Sequence, residues 1–148
     1  MEKSRSSSRF ESMGDHEETF NLSYWRAVRA TVDGVPFMDA FYERFLSQSS
    51  EIAEMFAATD FDTQKQMLLI SLVHVASFDP VHGPDATMIR LARRHRELGI
   101  SPRSYGLWLD SLLDAVKTHD PEYSEDVRES WQRVLTPGVE FMISEGSK

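Results

Sequence analysis

The sequence predicts an all-α domain of about six to eight helices joined by short connections around one core. Two observations lead there. From residue 17 onward the apolar residues recur three and four positions apart, and nowhere do four clean steps of period-two alternation occur. The breaks between those stripes carry the residues that start and stop helices, as at Ser101-Pro102, Asp79-Pro80 and Gly83-Pro84. With 148 residues, 41% of them hydrophobic and 27% charged, the chain is long enough to bury such a core without staples.

Taken in order, residues 1–16 (MEKSRSSSRFESMGDH) are Ser-rich, charged and almost free of aliphatics. They bury too little apolar surface to offset their ordering entropy, so a mobile tail is expected ahead of a domain spanning 17–148. Gly34 sits at a helix boundary. Phe37, Phe41 and Phe45 then fall four apart, with Met38, Tyr42 and Leu46 one step round. Ile52, Met55 and Phe56 make a short following helix or turn. Phe61, Gln64, Leu68, Ser71, Leu72 and Val75 form the next stripe, which Thr59 or Asp60 can cap. Met88, Leu91, Ala92 and His95 form another, with Asp85 as its cap and Gly99 at its end. Tyr105, Trp108, Leu109, Leu112, Leu113 and Val116 follow the helical template without a gap behind the Ser101 cap. Asp120-Pro121 repeats that capping device ahead of Val127, Trp131, Val134 and Leu135. Pro137-Gly138 falls inside this last stripe, where proline removes a backbone donor, so a kink or early break is expected.

Composition narrows the function. The net charge is −8, which disfavours nucleic acid and anionic membrane surfaces as partners. There is no Cys, which excludes disulfides, thiolate metal sites and cysteine nucleophiles. No apolar run approaches the roughly 20 residues of a membrane helix, and no apolar segment follows the N-terminal charges as a secretory signal requires. A soluble, cytoplasmic protein is expected. Phosphate-cradling glycine loops, nucleophile elbows, paired-His zinc motifs and calcium loops are all missing from the sequence.

Of the five His, His16 in the tail, His82 in a loop and His119 at a helix end are expected to be solvated. His95 differs, because it occupies the apolar stripe of Met88, Leu91 and Ala92. A buried His has its ring nitrogens hydrogen-bonded or coordinated. Taken alone, His95 reads as a hydrogen-bonded core residue.

Three blocks in order change that reading. The first is Ala92 and His95, a short gap holding Ile100 and Pro102, then Tyr105 and Leu112-Leu113. The second is Phe41-Tyr42 with Phe56 fourteen residues after the Tyr. The third is Gln64 with Leu68 one turn later, and His95 follows Gln64 by 31 residues. Together they resemble bacterial single-domain globins and the haem domain of flavohaemoglobins, over about residues 20–145. The resemblance implies a globin fold around a pocket for haem b (iron protoporphyrin IX). His95 would be the axial iron ligand, offering a neutral imidazole nitrogen. Phe56 would stack on the porphyrin. Phe41, Met67, Leu68, Ile70 and Leu91 would wall the pocket, with Ile100 beside them. Tyr42 and Gln64 would be the distal pair, donating hydrogen bonds to dioxygen on ferrous iron.

On the proximal side the family pairs the ligand His with a Tyr, matched by Tyr105, and with a late carboxylate that makes the imidazole more electron-donating. Glu145 lies one position short of the place the spacing gives that carboxylate. Arg90, Arg93, Arg94, Arg96 and Arg103 surround His95 in the sequence as a solvated face, and one of them, Arg94 first, suits a haem propionate. His74, ten residues past Gln64, lies about 80° round the helix from it and is expected to miss the iron. The implied function is reversible binding of dioxygen, with nitric oxide and carbon monoxide as further ligands. Alternatives are a nitric oxide dioxygenase working with a separate reductase, a gas sensor, and a haem-free globin-fold regulator. The last of these lacks the ligand His.

Overall fold

The computed structural model describes residues 8–148, with side chains from Gly14 onward. Its elements are α1 (Ser8–Val28), β1 (Thr31–Val32), β2 (Val35–Pro36), α2 (Phe37–Leu46), α3 (Ser50–Met55), α4 (Phe61–Ser77), α5 (Ala86–Glu97), α6 (Pro102–His119) and α7 (Glu125–Gly146). The all-α expectation holds, with seven helices among the described residues.

Side-chain caps set most of the helix starts. Ser49 accepts from Ile52 N–H, Asp60 from Asp62 N–H, Asp85 from Met88 N–H, Ser101 from Ser104 N–H and Ser124 from Val127 N–H. The expected cap at Asp120 is a correction. Asp120 closes α6, its carboxylate is engaged elsewhere, and Ser124 heads α7.

Gly34 belongs to a turn rather than a helix boundary. Thr31 pairs with Pro36 and Val32 with Val35 in a two-residue hairpin. Asp33 and Gly34 both take positive φ, 52° and 80°, as a two-residue hairpin turn requires. Strands this short carry no readable alternation.

The core gathers around α7, which packs on α1, α4, α5 and α6, while α2 crosses α6. Trp131, Phe37, Phe41, Leu72, Leu112, Leu113 and Leu135 are fully buried. Pro137-Gly138 does not break α7, which runs unbroken to Gly146. Pro137 leaves one intrahelical bond unmade. Gly138 is where α7 crosses α4: a Cβ there would stand 2.5 Å from the Val75 carbonyl oxygen. The missing side chain lets the two backbones meet.

One polar network ties the ends of the chain together. Trp131 Nε1–H donates to Ser23 Oγ at 2.8 Å, and Ser23 Oγ–H donates to Asp120 Oδ2 at 2.6 Å. Arg26 grips the same carboxylate through Nε at 2.6 Å and Nη2 at 2.9 Å. Burial alone would raise the Asp120 pKa, but the bonds from Arg26, Ser23 and the Glu122 N–H hold it below its ordinary value.

Two histidines expected in solvent are packed. His16 Nδ1 is 2.7 Å from Ser130 Oγ, in line with Phe20, Ser23 and Ala27 on the face of α1. His119 is buried, its Nε2–H donating to the Val35 carbonyl at 2.8 Å. Residues 8–16 of the expected tail are thus helical; the same expectation for residues 1–7 lies outside the described residues. No helix among the described residues is long and apolar enough to cross a membrane.

Candidate functional site

Helix α5 presents Met88 and Ala92 to the core, with Leu91 and His95 half-buried on the same side. His95 Nδ1 lies 2.8 Å from the Leu91 carbonyl oxygen. A carbonyl only accepts, so Nδ1 carries the hydrogen and Nε2 keeps its lone pair. Nε2 has no hydrogen-bond partner among the described residues. The imidazole pKa is lowered, first by burial; the Leu91 bond pulls upward and the nearby Arg94 charge downward. The ring is therefore a neutral donor at neutral pH. Past α5 the chain turns at Gly99 with φ of 71°, and the Ser101 cap and Pro102 start α6. That turn brings the Tyr105 ring to 6.1 Å from His95 between centroids. Tyr105 is buried, and burial pushes its hydroxyl up to about 12.

A second cluster of expected site residues joins α2 to α4. Gln64 Nε2–H donates to Tyr42 Oη at 3.2 Å, and the Tyr42 hydroxyl reaches the Gln64 carbonyl at 3.4 Å. Tyr42 is boxed by Phe41, Phe61 and Phe56 at 4.9, 5.3 and 6.0 Å between ring centroids. Burial pushes its phenol up to about 12 against the opposing effect of the Gln64 bond. Tyr42 thus stays protonated, a hydrogen donor whose present acceptor is distant.

A sequence model of the globin family matches residues 39–141, a stretch holding both clusters. The chain belongs to the globin family. A solved structure, protein PA3967 from Pseudomonas aeruginosa PAO1, described as structurally highly homologous to a human hemoglobin, is 33% identical to this globin. The two share a TM-score of 0.75, and the match covers 88% of this chain and 97% of that one. No curated protein matches the chain. The expected likeness to bacterial single-domain globins stands.

Globins as a family bind haem, and the residues of this globin fit the group. It has one neutral imidazole whose Nε2 has no partner among the described residues, the Tyr105 ring beside it, an apolar core that includes Leu91 of the same helix, and a separate pair of polar donors. Phe41 and Leu68 are buried, while Phe56, Leu91 and Ile100 are half-buried against the core. Met67 and Ile70 differ from these expected wall residues: they are 54% and 59% exposed. Leu68, Leu72 and Val75 take the core side of α4, and Met67 and Ile70 stand about 100° and 200° round the helix from Leu68.

Arg94 is exposed and sits 3.7 Å from Glu97 on the surface of α5. Glu145 pairs with Lys148 at 2.8 Å. Among the described residues no carboxylate hydrogen-bonds to His95 or Tyr105, and the backbone carbonyl of Leu91 is the imidazole's partner. His74 bonds Asp85, the α5 cap, at 3.2 Å and makes no hydrogen bond to Tyr42 or Gln64. Sequence reasoning missed two participants. Phe61 packs on Tyr42, one turn before Gln64, and was legible only as part of an apolar stripe. The Leu91 carbonyl leaves no trace in residue identity; its signal is a His one turn further along the same helix.

Proposed function

We propose that this globin holds haem b through His95 Nε2 and binds dioxygen, nitric oxide and carbon monoxide reversibly in the cytoplasm. The observation that carries the reading is the Nδ1–H bond of His95 to Leu91, because it fixes the tautomer and leaves Nε2 free. Haem iron supplies, when bound, a reversible coordination position for small diatomic ligands.

The rest is done by the chain. The Leu91 carbonyl orients the imidazole and makes it more basic. Phe56 offers its ring to the porphyrin face, and Phe41, Leu68, Leu91 and Ile100 keep water out. Arg94 is exposed beside His95 in the sequence and suits a propionate. Tyr42 donates its hydroxyl hydrogen to an electron-rich ligand, exchanging the 3.4 Å contact with the Gln64 carbonyl for a shorter bond. Gln64 supports it by donating to the phenol oxygen, which polarises the O–H. Among the described residues His95 bonds a backbone carbonyl and no carboxylate, which favours reversible binding over the dioxygenase alternative.

The test is the absorption spectrum of His95→Ala beside the parent, ferric and ferrous, with and without carbon monoxide. The parent should show a Soret band that shifts with carbon monoxide, and the variant should lose bound haem on gel filtration. A variant that keeps the parent's spectra would sink the reading.

A further inference from the structure

The outer surface of α5 is unusual for this chain. Residues 90–103 hold five arginines and one carboxylate in a protein of net charge −8. Elsewhere among the described residues Arg26, Arg44, Lys65, Arg133 and Lys148 each meet an Asp or Glu, and Arg29, Lys117 and Arg128, which do not, are scattered over three helices or their ends rather than gathered on one face. On α5 only Arg94 does, with Glu97. Among the described residues Arg90, Arg93, Arg96 and Arg103 have no carboxylate within ion-pair distance, and all four are exposed. Arg90 Nη2 donates to the Thr87 hydroxyl at 3.2 Å. A chain rich in carboxylates that brings none to these arginines keeps concentrated positive charge free.

An apolar residue sits among them. Ile89 is 41% exposed, and Ile89, Arg93 and Arg96 are spaced i, i+4 and i+7 on one side of the helix. An apolar contact rimmed by arginines is the composition of a protein-docking surface. The patch spans a helix about 18 Å long, the footprint of a small, transient contact of the kind redox partners make. A nucleic acid or a membrane would extend past it and meet the acidic remainder of the surface. Behind the patch, across one helix diameter of about 10–12 Å, stands His95.

We propose that Ile89, Arg90, Arg93 and Arg96 form the docking surface for an acidic one-electron donor protein that keeps the haem iron ferrous. The step moves one electron from the donor's reduced flavin to ferric iron; the flavin is oxidised by one electron, and no bond forms or breaks. This rests on the haem reading above, whose separate failure would appear as a parent that holds no haem.

The probe is an acidic flavodoxin, with the haem-loaded protein as acceptor. The first measurement is calorimetric affinity for oxidised flavodoxin at low and high salt. The second is the rate at which reduced flavodoxin reduces the ferric protein. Arg90→Gln/Arg93→Gln/Arg96→Gln and, separately, Ile89→Ala are compared with the parent. The parent should bind more weakly as salt rises. The triple variant should lose about tenfold or more in affinity and in reduction rate at low salt. Reduction by dithionite, haem content and melting temperature should stay at parent values. Unchanged affinity and rate in the triple variant overturn the proposal. So does a parent that ignores flavodoxin and binds phosphatidylglycerol vesicles through the same arginines.

Discussion

Nδ1 of His95 stands 2.8 Å from the carbonyl oxygen of Leu91, one turn earlier on the same helix. That carbonyl already lies within reach of the helix's own N–H ladder, so the imidazole adds a second hydrogen to it rather than recruiting a new partner. The bond costs the fold no extra residue and leaves Nε2 as the free nitrogen. A proximal carboxylate would draw harder on the imidazole hydrogen, but Glu145 is paired with Lys148. The donor strength of His95 is therefore set by a neutral acceptor.

Tyr42→Phe removes the one hydroxyl held in the aromatic box of Phe41, Phe56 and Phe61. The dioxygen dissociation rate should rise by roughly fivefold, in keeping with about 1 kcal/mol for one neutral hydrogen bond. Stopped-flow displacement by carbon monoxide measures it. Thermal stability should change little, because the hydroxyl's present bond is 3.4 Å long. An unchanged dissociation rate removes Tyr42 from the ligand's surroundings.

Gln64→Leu should raise the same rate by less, and the double variant with Tyr42→Phe should fall short of the product of the two single effects. The reason is that Gln64 Nε2 donates to the Tyr42 oxygen at 3.2 Å, so the residues act as one unit. Strictly multiplicative effects would show that the two side chains work independently.

Gly138→Ala tests the helix crossing. Helix propensity alone favours alanine by about 1 kcal/mol. Here the new Cβ would meet the Val75 carbonyl at 2.5 Å, so the variant should be less stable by about 1–3 kcal/mol. The melting temperature decides between the signs, and a rise contradicts the close approach of α4 and α7.

Asp120→Asn probes the network that joins Arg26, Ser23 and Trp131. The folded carboxyl sits below its ordinary value of 3.8, so the folded state binds the proton less readily than the unfolded chain. The stabilisation is complete above that ordinary value and is lost as pH falls through the lower folded value. Urea titrations across acid pH should show the parent losing stability in this window and the variant lacking that part of the slope. At neutral pH the variant should be weaker by about 2 kcal/mol, reduced from a fully buried pair because Arg26 remains partly exposed. Parallel pH profiles for the two proteins would rule out this linkage.

Much of the fold was open to reading before any coordinates. The stripes that became α2, α4, α5 and α6 repeat at helical spacing, and Ser101, Asp60 and Asp85 cap where their side chains suit an N-terminus. His95 follows the Leu91 side of its stripe, and Tyr42 and Gln64 come together through Gln64 Nε2 and the phenol oxygen. The errors share a cause. Asp120 reads as a cap until Arg26, 94 residues away, takes its carboxylate. His119 reads as solvated until β2 lays the Val35 carbonyl over it. Pro137-Gly138 reads as a break until the need for α4 and α7 to touch supplies a reason for the glycine.

The sequence by itself determined α2, α4, α5 and α6, the caps at Asp60, Asp85 and Ser101 and the face of α5 that carries His95, because spacing and capping act within one or two turns of the chain. Tertiary structure alone decided which polar side chains are buried, that Met67 and Ile70 lie off the core face of α4, that Glu145 bonds Lys148, and that Arg90, Arg93 and Arg96 of α5 stand without counter-charges. Those outcomes depend on which helix lies across from which, and residues distant in the chain meet only once the core has packed.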